Sequence, residues 1–460
     1  MVTFQELKWL EAENKYNLSF TLIKKKKPSF YDEGFFFSFM NKIYLILFIP
    51  FFIYPNNSLV KKIDIVGNSK TKEYIIEREL LHPMDQALDS LIMIEDVNRL
   101  YNLGIFSTVE IQLLDSTYNV NLVESLAIIP DLVIDYSEIT ETWSYGLGIA
   151  HLNFLGLDQE FYFGGAFIGE KWFALSLNNP WIYGDHVSFE TLIYNKFADN
   201  PFYNYRYNES LYYSSIGFHK NIYNKFKFSI SYYKHTIKDD TVPDNVIEEV
   251  KLKPLTNRYF SFGINYQYDK RDVFIDPLNG HLFELNLRYS KDLIRNLDIS
   301  QINISFEKYF ELELDLLDEP VISYKISGLF KYPEFNKLPI YEYEYLGGED
   351  YIRGYSSLPQ NYPNESFEDK IICSNVIYNH IEFQTTILKR KDYGKIEFGV
   401  DGVLFLNSGL GSNNVNKFNI DNILFGYGFG FKFFITGPPA PISIMFGYNP
   451  YGQSYTHLND

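Results

Sequence analysis

The residues best suited to chemistry lie in one glycine-rich segment, Leu346–Tyr355, which reads LGGEDYIRGY. Its single arginine, Arg353, has a planar guanidinium that can form paired hydrogen bonds to a carboxylate. Glycines at 347, 348 and 354 permit positive φ angles and let the backbone pass close to a neighbouring surface. The segment therefore predicts a loop held by an arginine–carboxylate pair, and a solvated surface loop with an incidental arginine is the alternative.

Patterns typical of enzymes are weak in the rest of the chain. The eight histidines form no H-E-x-x-H motif and no close pair, and no G-x-S-x-G motif occurs. The one cysteine, Cys373, excludes a cysteine-based metal site. Glycines 426, 428 and 430 imitate a phosphate loop, but they lie in an alternating strand where they relieve crowding. We expect no enzyme, metal or cofactor, and a Ser-His-acid hydrolase is the remaining enzymatic alternative.

The composition narrows the protein class further. The chain has 460 residues, of which 18% are aromatic, with 39 Tyr and 41 Phe, and 46% are hydrophobic. This is too apolar for a disordered chain, and less apolar than expected for a bundle of membrane helices. The net charge of −17 repels phosphate backbones, so we expect no nucleic-acid partner.

Long segments of two-residue alternation dominate residues 129–460. In residues 259–269, Phe260, Phe262 and Ile264 alternate with small or polar residues, and residues 226–232, 283–290 and 425–433 follow the same pattern. At roughly 20 residues per strand and connection, this region allows about sixteen antiparallel strands. A soluble β-sandwich would favour Val, Ile and Leu over Tyr and Phe. The pattern predicts an all-β transmembrane barrel at 129–460, with an uncertain last strand.

Residues 59–127 predict a small α+β domain of order β-α-α-β-β. The helices are expected at Lys72–Leu81 and Asp89–Leu103, and the second should bury a face containing Leu91, Ile94, Val97, Leu100 and Tyr101. An open sheet edge can receive an extended polypeptide through main-chain hydrogen bonds. We assign that client edge to the strand that contains Val109, Ile111 and Leu113.

The first 58 residues precede both predicted domains. Met40-Asn41-Lys42, the apolar run 43–54 and the polar residues 55–58 have the layout of a signal peptide at 40–58. Residues 1–39 are then interpreted as a non-native N-terminal extension. The alternative is an uncleaved signal anchor over 35–54, flanked by the lysines at 24–27.

The order of the small domain resembles that of a POTRA domain, and the motif with Arg353 resembles the loop of the BamA/TamA-type outer-membrane assembly-factor superfamily. Three further stretches resemble this family: 268–272 with Pro277 and Gly280, 381–383, and 398–402. The resemblance implies that the loop folds into the barrel lumen, where Arg353 meets Glu382 and Asp401 as latch partners. The loop residues that it implies are Gly347, Gly348, Ile352, Arg353, Gly354 and Tyr355.

The resemblance also implies a function in assembling or translocating polypeptides at a bacterial outer membrane, with the POTRA-like domain in the periplasm. Expected partners are unfolded outer-membrane proteins, the lipid bilayer and accessory periplasmic proteins. Client strands would enter a seam between the last strand and the first, expected near Asp131–Ile149. Alternatives are a two-partner-secretion transporter, whose relatives usually carry two POTRA domains, and a passive porin-like channel. The chain end departs from the family, so either a short strand at 452–458 closes the barrel or the protein is truncated.

Overall fold

A computed structural model of the chain describes residues 59–137, 142–183, 187–200, 205–221, 223–238, 255–356, 371–393, 396–435 and 441–459. The predicted extension at 1–39 and the predicted signal peptide at 40–58 lie outside these residues. Neither described α-helix is long and apolar enough to cross a membrane.

The N-terminal domain has the expected order of elements. These are β1 (Lys62–Val66), α1 (Glu73–Glu77), α2 (Ser90–Asn102), β2 (Phe106–Leu114) and β3 (Thr117–Glu124). The sheet order is β1-β3-β2, so β3 is central, parallel to β1 and antiparallel to β2. The strand assigned as the client edge, β2, is thus an edge of this sheet.

Helix α2 begins where Asp89 accepts hydrogen bonds from the amides of Leu91 and Ile92, as an N-cap should. Its buried face differs from the prediction. Leu91 is 78% exposed and Ile94 is 45% exposed, while Leu100 and Tyr101 are buried as expected. The buried face of α2 is therefore rotated relative to the predicted face, because it also includes a charged side chain.

That side chain is Asp96, which is completely buried. It accepts hydrogen bonds from the amides of Leu81 and His82 and from the Tyr118 hydroxyl. These amides therefore do not continue a helix, and α1 ends at Glu77 rather than at the predicted Leu81. A buried aspartate cannot be recognised from hydrophobic periodicity, which explains both errors.

The rest of the chain forms one sixteen-stranded sheet in which each strand is antiparallel to its neighbours. A further two-stranded sheet, formed by Glu344–Tyr345 and Ile372–Cys373, lies within the long connection that follows Tyr332. The strands are β4 (Ile128–Ser137), β5 (Thr142–Phe154), β6 (Gln159–Ile168), β7 (Lys171–Tyr183), β8 (Val187–Asp199), β9 (Arg206–His219), β10 (Asn224–Ile237), β11 (Thr256–Asp269), β12 (Gly280–Asp292), β13 (Ile299–Glu311), β14 (Asp318–Tyr332), β15 (Glu344–Tyr345), β16 (Ile372–Cys373), β17 (Asn375–Tyr393), β18 (Ile396–Ser412), β19 (Leu424–Ile435), β20 (Ile442–Tyr448) and β21 (Ser454–Asn459).

The two faces of the sheet have the predicted polarity. Phe228 and Phe262, on the outward face, are 50% and 52% exposed, as expected for side chains that meet acyl chains. The intervening Ser231 and Ser261 are buried on the other face. The all-β transmembrane barrel fold with about sixteen strands is therefore confirmed, and the sandwich alternative is wrong.

The two edge strands of the large sheet are β4 and β21. The range predicted for the first strand, Asp131–Ile149, was wrong, because it spans parts of both β4 and β5. The short last strand does form: β21 pairs with β20 over six residues, from Ser454 to Asn459. Among the described residues, no ladder of backbone hydrogen bonds joins β21 to β4.

Candidate functional site

The loop after β14 crosses to the wall formed by β10 and β11 before it reaches the arginine motif. Two 3₁₀ turns, Phe335–Lys337 and Ile340–Glu342, make this crossing. The Tyr341 ring stacks on His235 with ring centroids 4.4 Å apart, and its hydroxyl lies 3.2 Å from the Tyr259 hydroxyl. The loop is therefore anchored on this wall by aromatic contacts.

Charged contacts fix the same stretch of the loop to β14. Lys331 Nζ lies 3.1 Å from Glu342 Oε2 and 2.6 Å from Glu344 Oε1. The Tyr351 hydroxyl donates to Glu344 over 2.6 Å. Because Lys331 is only 5% exposed, its two carboxylates provide the compensation that a buried cation requires.

In the predicted motif the backbone changes direction at glycines, and the apolar side chains are buried. Gly348 and Gly354 have φ of 96° and 100°, the left-handed region that favours glycine. The Gly348 amide donates to the Tyr355 carbonyl over 3.0 Å, and this bond closes the turn. Ile352 and Tyr355 are buried in a cluster with Leu346, Ile371 and Cys373, among others. Gly347 forms a bridge with Ile352 inside the same turn.

Arg353 lies on the wall formed by β17 and β18, and it is 3% exposed. Its Nη2 is 2.6 Å from Glu382 Oε1 on β17, and its Nε donates to Asn407 Oδ1 on β18 over 2.9 Å. The guanidinium carbon also stands 4.0 Å above the centre of the Phe405 ring. This combination of a carboxylate, an amide and an aromatic face matches the planar shape of a guanidinium.

Glycines on three successive wall strands leave room for the motif backbone. A Cβ placed on Gly426 of β19 would lie 1.8 Å from the Arg353 carbonyl oxygen, and one on Gly447 of β20 would lie 2.4 Å from the Gly354 nitrogen. A Cβ on Gly409 of β18 would also meet the loop, at its isoleucine side chain. Gly426 is one of the glycines that the sequence predicted to relieve crowding. In the structure it makes room for the loop backbone at Arg353.

The motif also holds the last strand. The Gly354 amide donates to His457 Nε2 on β21 over 3.0 Å. The Gly354 carbonyl accepts a hydrogen bond of 2.8 Å from the Asn449 side chain, which lies just before β21. One glycine of the loop is therefore bonded to the edge strand and to the turn that leads into it.

The second predicted latch partner, Asp401, does not pair with Arg353. Asp401 accepts a 2.6 Å hydrogen bond from Gln384. It lies six residues from Asn407 along β18, roughly 20 Å at the rise of an extended strand. Of the two predicted partners, the structure brings only Glu382 to Arg353.

A series of polar contacts nevertheless extends from Glu382 along the inner wall. Lys432 Nζ lies 3.0 Å from Glu382 Oε2 and 2.9 Å from Gln384 Oε1. Gln384 Nε2 in turn donates to Asp276 Oδ1 over 2.7 Å. Asp276 also forms an ion pair with Arg390. Glu382 is thus shared by two cations, Arg353 and Lys432.

Asp276 belongs to the hairpin that connects β11 to β12, and the same hairpin contacts the N-terminal domain. The Asn102 side chain, at the end of α2, accepts from the Phe274 amide over 3.0 Å and donates to the Asp272 carbonyl over 3.3 Å. Direct contacts therefore run from the N-terminal domain through this hairpin to the wall that carries Glu382.

A second docking contact joins the N-terminal domain to the β5–β6 turn. Arg78 Nη2 is 3.1 Å from Asp158 Oδ2, and its guanidinium stands 4.1 Å above the Trp181 ring centre. The Lys72 amide donates to the Gly156 carbonyl over 3.0 Å. The domain thus lies against two separate turns at one end of the barrel.

Glu124, at the end of β3, fixes the turn that makes this second contact. It accepts hydrogen bonds from Ser69, Lys70 and Thr71 at 2.6–2.8 Å. Burial raises the pKa of the Glu124 carboxyl, but these hydrogen bonds favour the anion more strongly and hold the pKa below its ordinary value.

The three side chains predicted to form the client edge face the core of the domain, so β2 offers its backbone at this edge. Val109 and Ile111 are buried in the domain core, and Leu113 packs against that core. The side chains of Glu110 and Gln112 on the same strand are exposed. A client at β2 would therefore meet main-chain groups and these two polar side chains.

Several residues of the site were missed by the sequence analysis. Glu342 and Glu344 could have been noticed as two carboxylates with two-residue spacing just before the motif. Lys432 carried a signal as the one charged residue in a strand of alternating glycines and aromatics. Nothing in the sequence marked Asn407 or His457, whose roles depend on which strands face the loop.

The fold and the loop together define a class: a barrel protein of the outer membrane with a POTRA domain at the barrel end where the chain enters. A model of the Omp85 superfamily domain matches residues 153–457. A POTRA model, described as a surface antigen variable number repeat, matches residues 58–125. The chain belongs to the Omp85 superfamily. It is located in the outer membrane with its POTRA domain in the periplasm.

Two solved structures illustrate the likeness. The crystal structure of BamA from Haemophilus ducreyi lacking POTRA domains 1–3 is 16% identical, with a TM-score of 0.52, 87% of this chain covered and 83% of that chain. CdiB from Escherichia coli is 15% identical, with a TM-score of 0.50, 88% of this chain covered and 74% of that chain. At these identities the likeness concerns the fold.

Proposed function

We propose that this protein receives unfolded polypeptides at the edge of its POTRA domain and passes them to a seam between β4 and β21, where outer-membrane β-barrel proteins are inserted. The observation that carries the proposal is that both strands are edges of the same sheet, with no ladder between them in the described residues. The role is non-enzymatic and needs no nucleotide.

The energetic reason is that backbone N–H and C=O groups need hydrogen-bond partners in lipid. Each unsatisfied peptide group in the hydrocarbon region costs several kcal/mol. An incoming strand that pairs with β4 satisfies its own groups and those of the edge at the same time. The six-residue β21 is shorter than the ten-residue β4, so even full pairing between them would leave part of the β4 edge open.

The arginine loop controls the seam in this proposal. Arg353 fixes the motif on β17 and β18, and Gly354 then holds β21 through His457. Arg353→Ala should therefore lower both assembly activity and barrel stability. Arg353→Lys should rescue only in part, because an ammonium keeps the charge but lacks the planar fork.

Capture at the POTRA edge can be tested separately from insertion. A photo-crosslinking amino acid at Gln112, exposed on β2, should trap unfolded outer-membrane proteins. The matched control is Lys62, which is exposed on β1 at the other edge of the sheet. Equal trapping at both positions would remove β2 from the proposed pathway.

The second candidate is a two-partner-secretion transporter that exports one dedicated protein. The observation that favours it is that the CdiB structure matches this fold about as well as the BamA structure does. A passive porin-like channel has less support, because the loop from β14 crosses the lumen and is anchored on both walls.

Comparison of the outer-membrane proteome with and without this chain separates these functions. Loss of several unrelated barrel proteins supports insertion. Retention of every barrel protein, with loss of a single secreted protein, would replace insertion by dedicated export. Ion conductance with no change in either set would leave only the channel.

A further inference from the structure

A row of basic side chains lies on the outward face of the barrel, at the end opposite the POTRA domain. On β10 and β11 the even-numbered residues face outward, as the exposure of Phe228 and Phe262 shows. Lys234 and Arg258 share this parity and lie near the ends of these strands that are farthest from the POTRA domain. We call the following residues the outer basic row: Arg206, Lys234, Lys238, Arg258 and Lys291.

The centre of the outer basic row is a pair of like charges. Lys234 and Arg258 are direct register partners on adjacent antiparallel strands. Like charges in this position repel each other and destabilise a sheet. Among the residues that the structure describes, no carboxylate lies within 4.0 Å of either cation, although Arg206 and Lys291 have such partners. An anion that bridges the two cations would relieve this repulsion.

Two cations of the outer basic row have a carboxylate partner, in a chain whose net charge is −17. Asp199 lies 3.2 Å from Arg206, and Asp298 lies 2.9 Å from Lys291. Neither of these carboxylates lies within 4.0 Å of Lys234 or Arg258. Lys234 and Arg258 are therefore the two cations of the row on which the argument for an anion depends.

An apolar surface continues from this pair toward the middle of the membrane. Tyr232 and Phe260 are the register partners two residues below, roughly 7 Å along the strands, and Ile230 and Phe262 follow. Ile230 and Phe262 are 50% and 52% exposed. A lipid fits this order of groups, with its anionic headgroup at the cations and its acyl chains along the rings.

We propose that Lys234 and Arg258 bind the phosphate of a lipid headgroup in the outer leaflet. The guanidinium fork of Arg258 suits two phosphate oxygens, and the Lys234 ammonium adds a point charge. The outer leaflet is assigned because the POTRA domain lies at the opposite, periplasmic end. The proposal does not depend on whether the protein inserts or exports polypeptides.

The test uses the full chain in detergent micelles and native mass spectrometry of bound lipid. The probes are bisphosphorylated lipid A and the same lipid with its phosphates removed. Lys234→Gln combined with Arg258→Gln should weaken binding of the bisphosphorylated lipid at least tenfold. Arg258→Lys, which keeps the charge, should weaken it less. Faster migration of the unheated variants on electrophoresis checks that the barrels are folded.

The matched control replaces two basic residues at the periplasmic end, Lys308 and Lys389, by glutamine. This control should bind the bisphosphorylated lipid as the natural chain does. Equal binding by the Lys234 and Arg258 double variant, or equal binding of the two lipid forms, would overturn the proposal. Displacement of the lipid by millimolar inorganic phosphate would identify a free-anion site and overturn the lipid assignment.

Discussion

Glu382 should matter more for barrel stability than Arg353, although both belong to the same ion pair. Glu382 faces two cations, Arg353 at 2.6 Å and Lys432 at 3.0 Å. Glu382→Gln leaves both cations without this carboxylate, and breaking a buried pair in this way costs about 3–5 kcal/mol. Arg353→Ala leaves Glu382 paired with Lys432. It removes the contacts of Arg353 with Glu382, Asn407 and the Phe405 ring, but it leaves no buried charge without a partner, so its cost should be the smaller one.

The assay is urea unfolding of the full chain in detergent micelles, followed by tryptophan fluorescence. Trp143 and Trp172 lie on β5 and β7, so the signal reports on the barrel. Asp318→Asn is the control, because its ion pair with Lys389 is exposed and should leave the midpoint unchanged. A larger destabilisation by Arg353→Ala than by Glu382→Gln would refute the view that Glu382 is shared.

Two further predictions concern the loop seat and the POTRA domain. Gly426→Ala should displace the loop, because the added Cβ would meet the Arg353 carbonyl, and it should therefore lower the urea midpoint. Gly402→Ala is the control. Its Cβ would meet the end of the Ile387 side chain, which can move, so it should change the midpoint much less. The lowered pKa of Glu124 stabilises the fold above the ordinary carboxyl pKa and ceases to do so as the pH falls through the folded value. The hydrogen-exchange protection of the Thr71 amide should therefore decrease in acid, and Glu124→Gln should abolish that dependence.

The barrel could be predicted from sequence because strand alternation is a local signal. The outward aromatics of β10 and β11 repeat every two residues regardless of what surrounds them. Arg353 was also recognisable, because glycines on both sides of a single arginine form a distinctive pattern. Both patterns can be recognised from neighbouring residues in the sequence, without knowing which strands lie beside them in the fold.

The partners of the loop could not be predicted in the same way. They depend on how strands distant in sequence are paired, and the pairing of β17 with β18 places Glu382 opposite Phe405 but Asp401 opposite Thr386. Asp401 consequently lies too far along β18 to meet Arg353. His457 is bonded to the loop only because the register of β20 with β21 brings it level with Gly354.

The most direct test of the proposed function is to lock the seam between β4 and β21. Leu132→Cys on β4 and Thr456→Cys on β21 are outward, exposed positions near the middle of the two strands, and the native Cys373 is buried. The full chain would be reconstituted in liposomes and supplied with an unfolded outer-membrane barrel protein. Folding of that client is read by its faster migration on electrophoresis without heating. Disulfide formation should reduce client insertion at least tenfold, and reduction of the disulfide should restore it. Undiminished insertion with the seam locked would contradict the proposal.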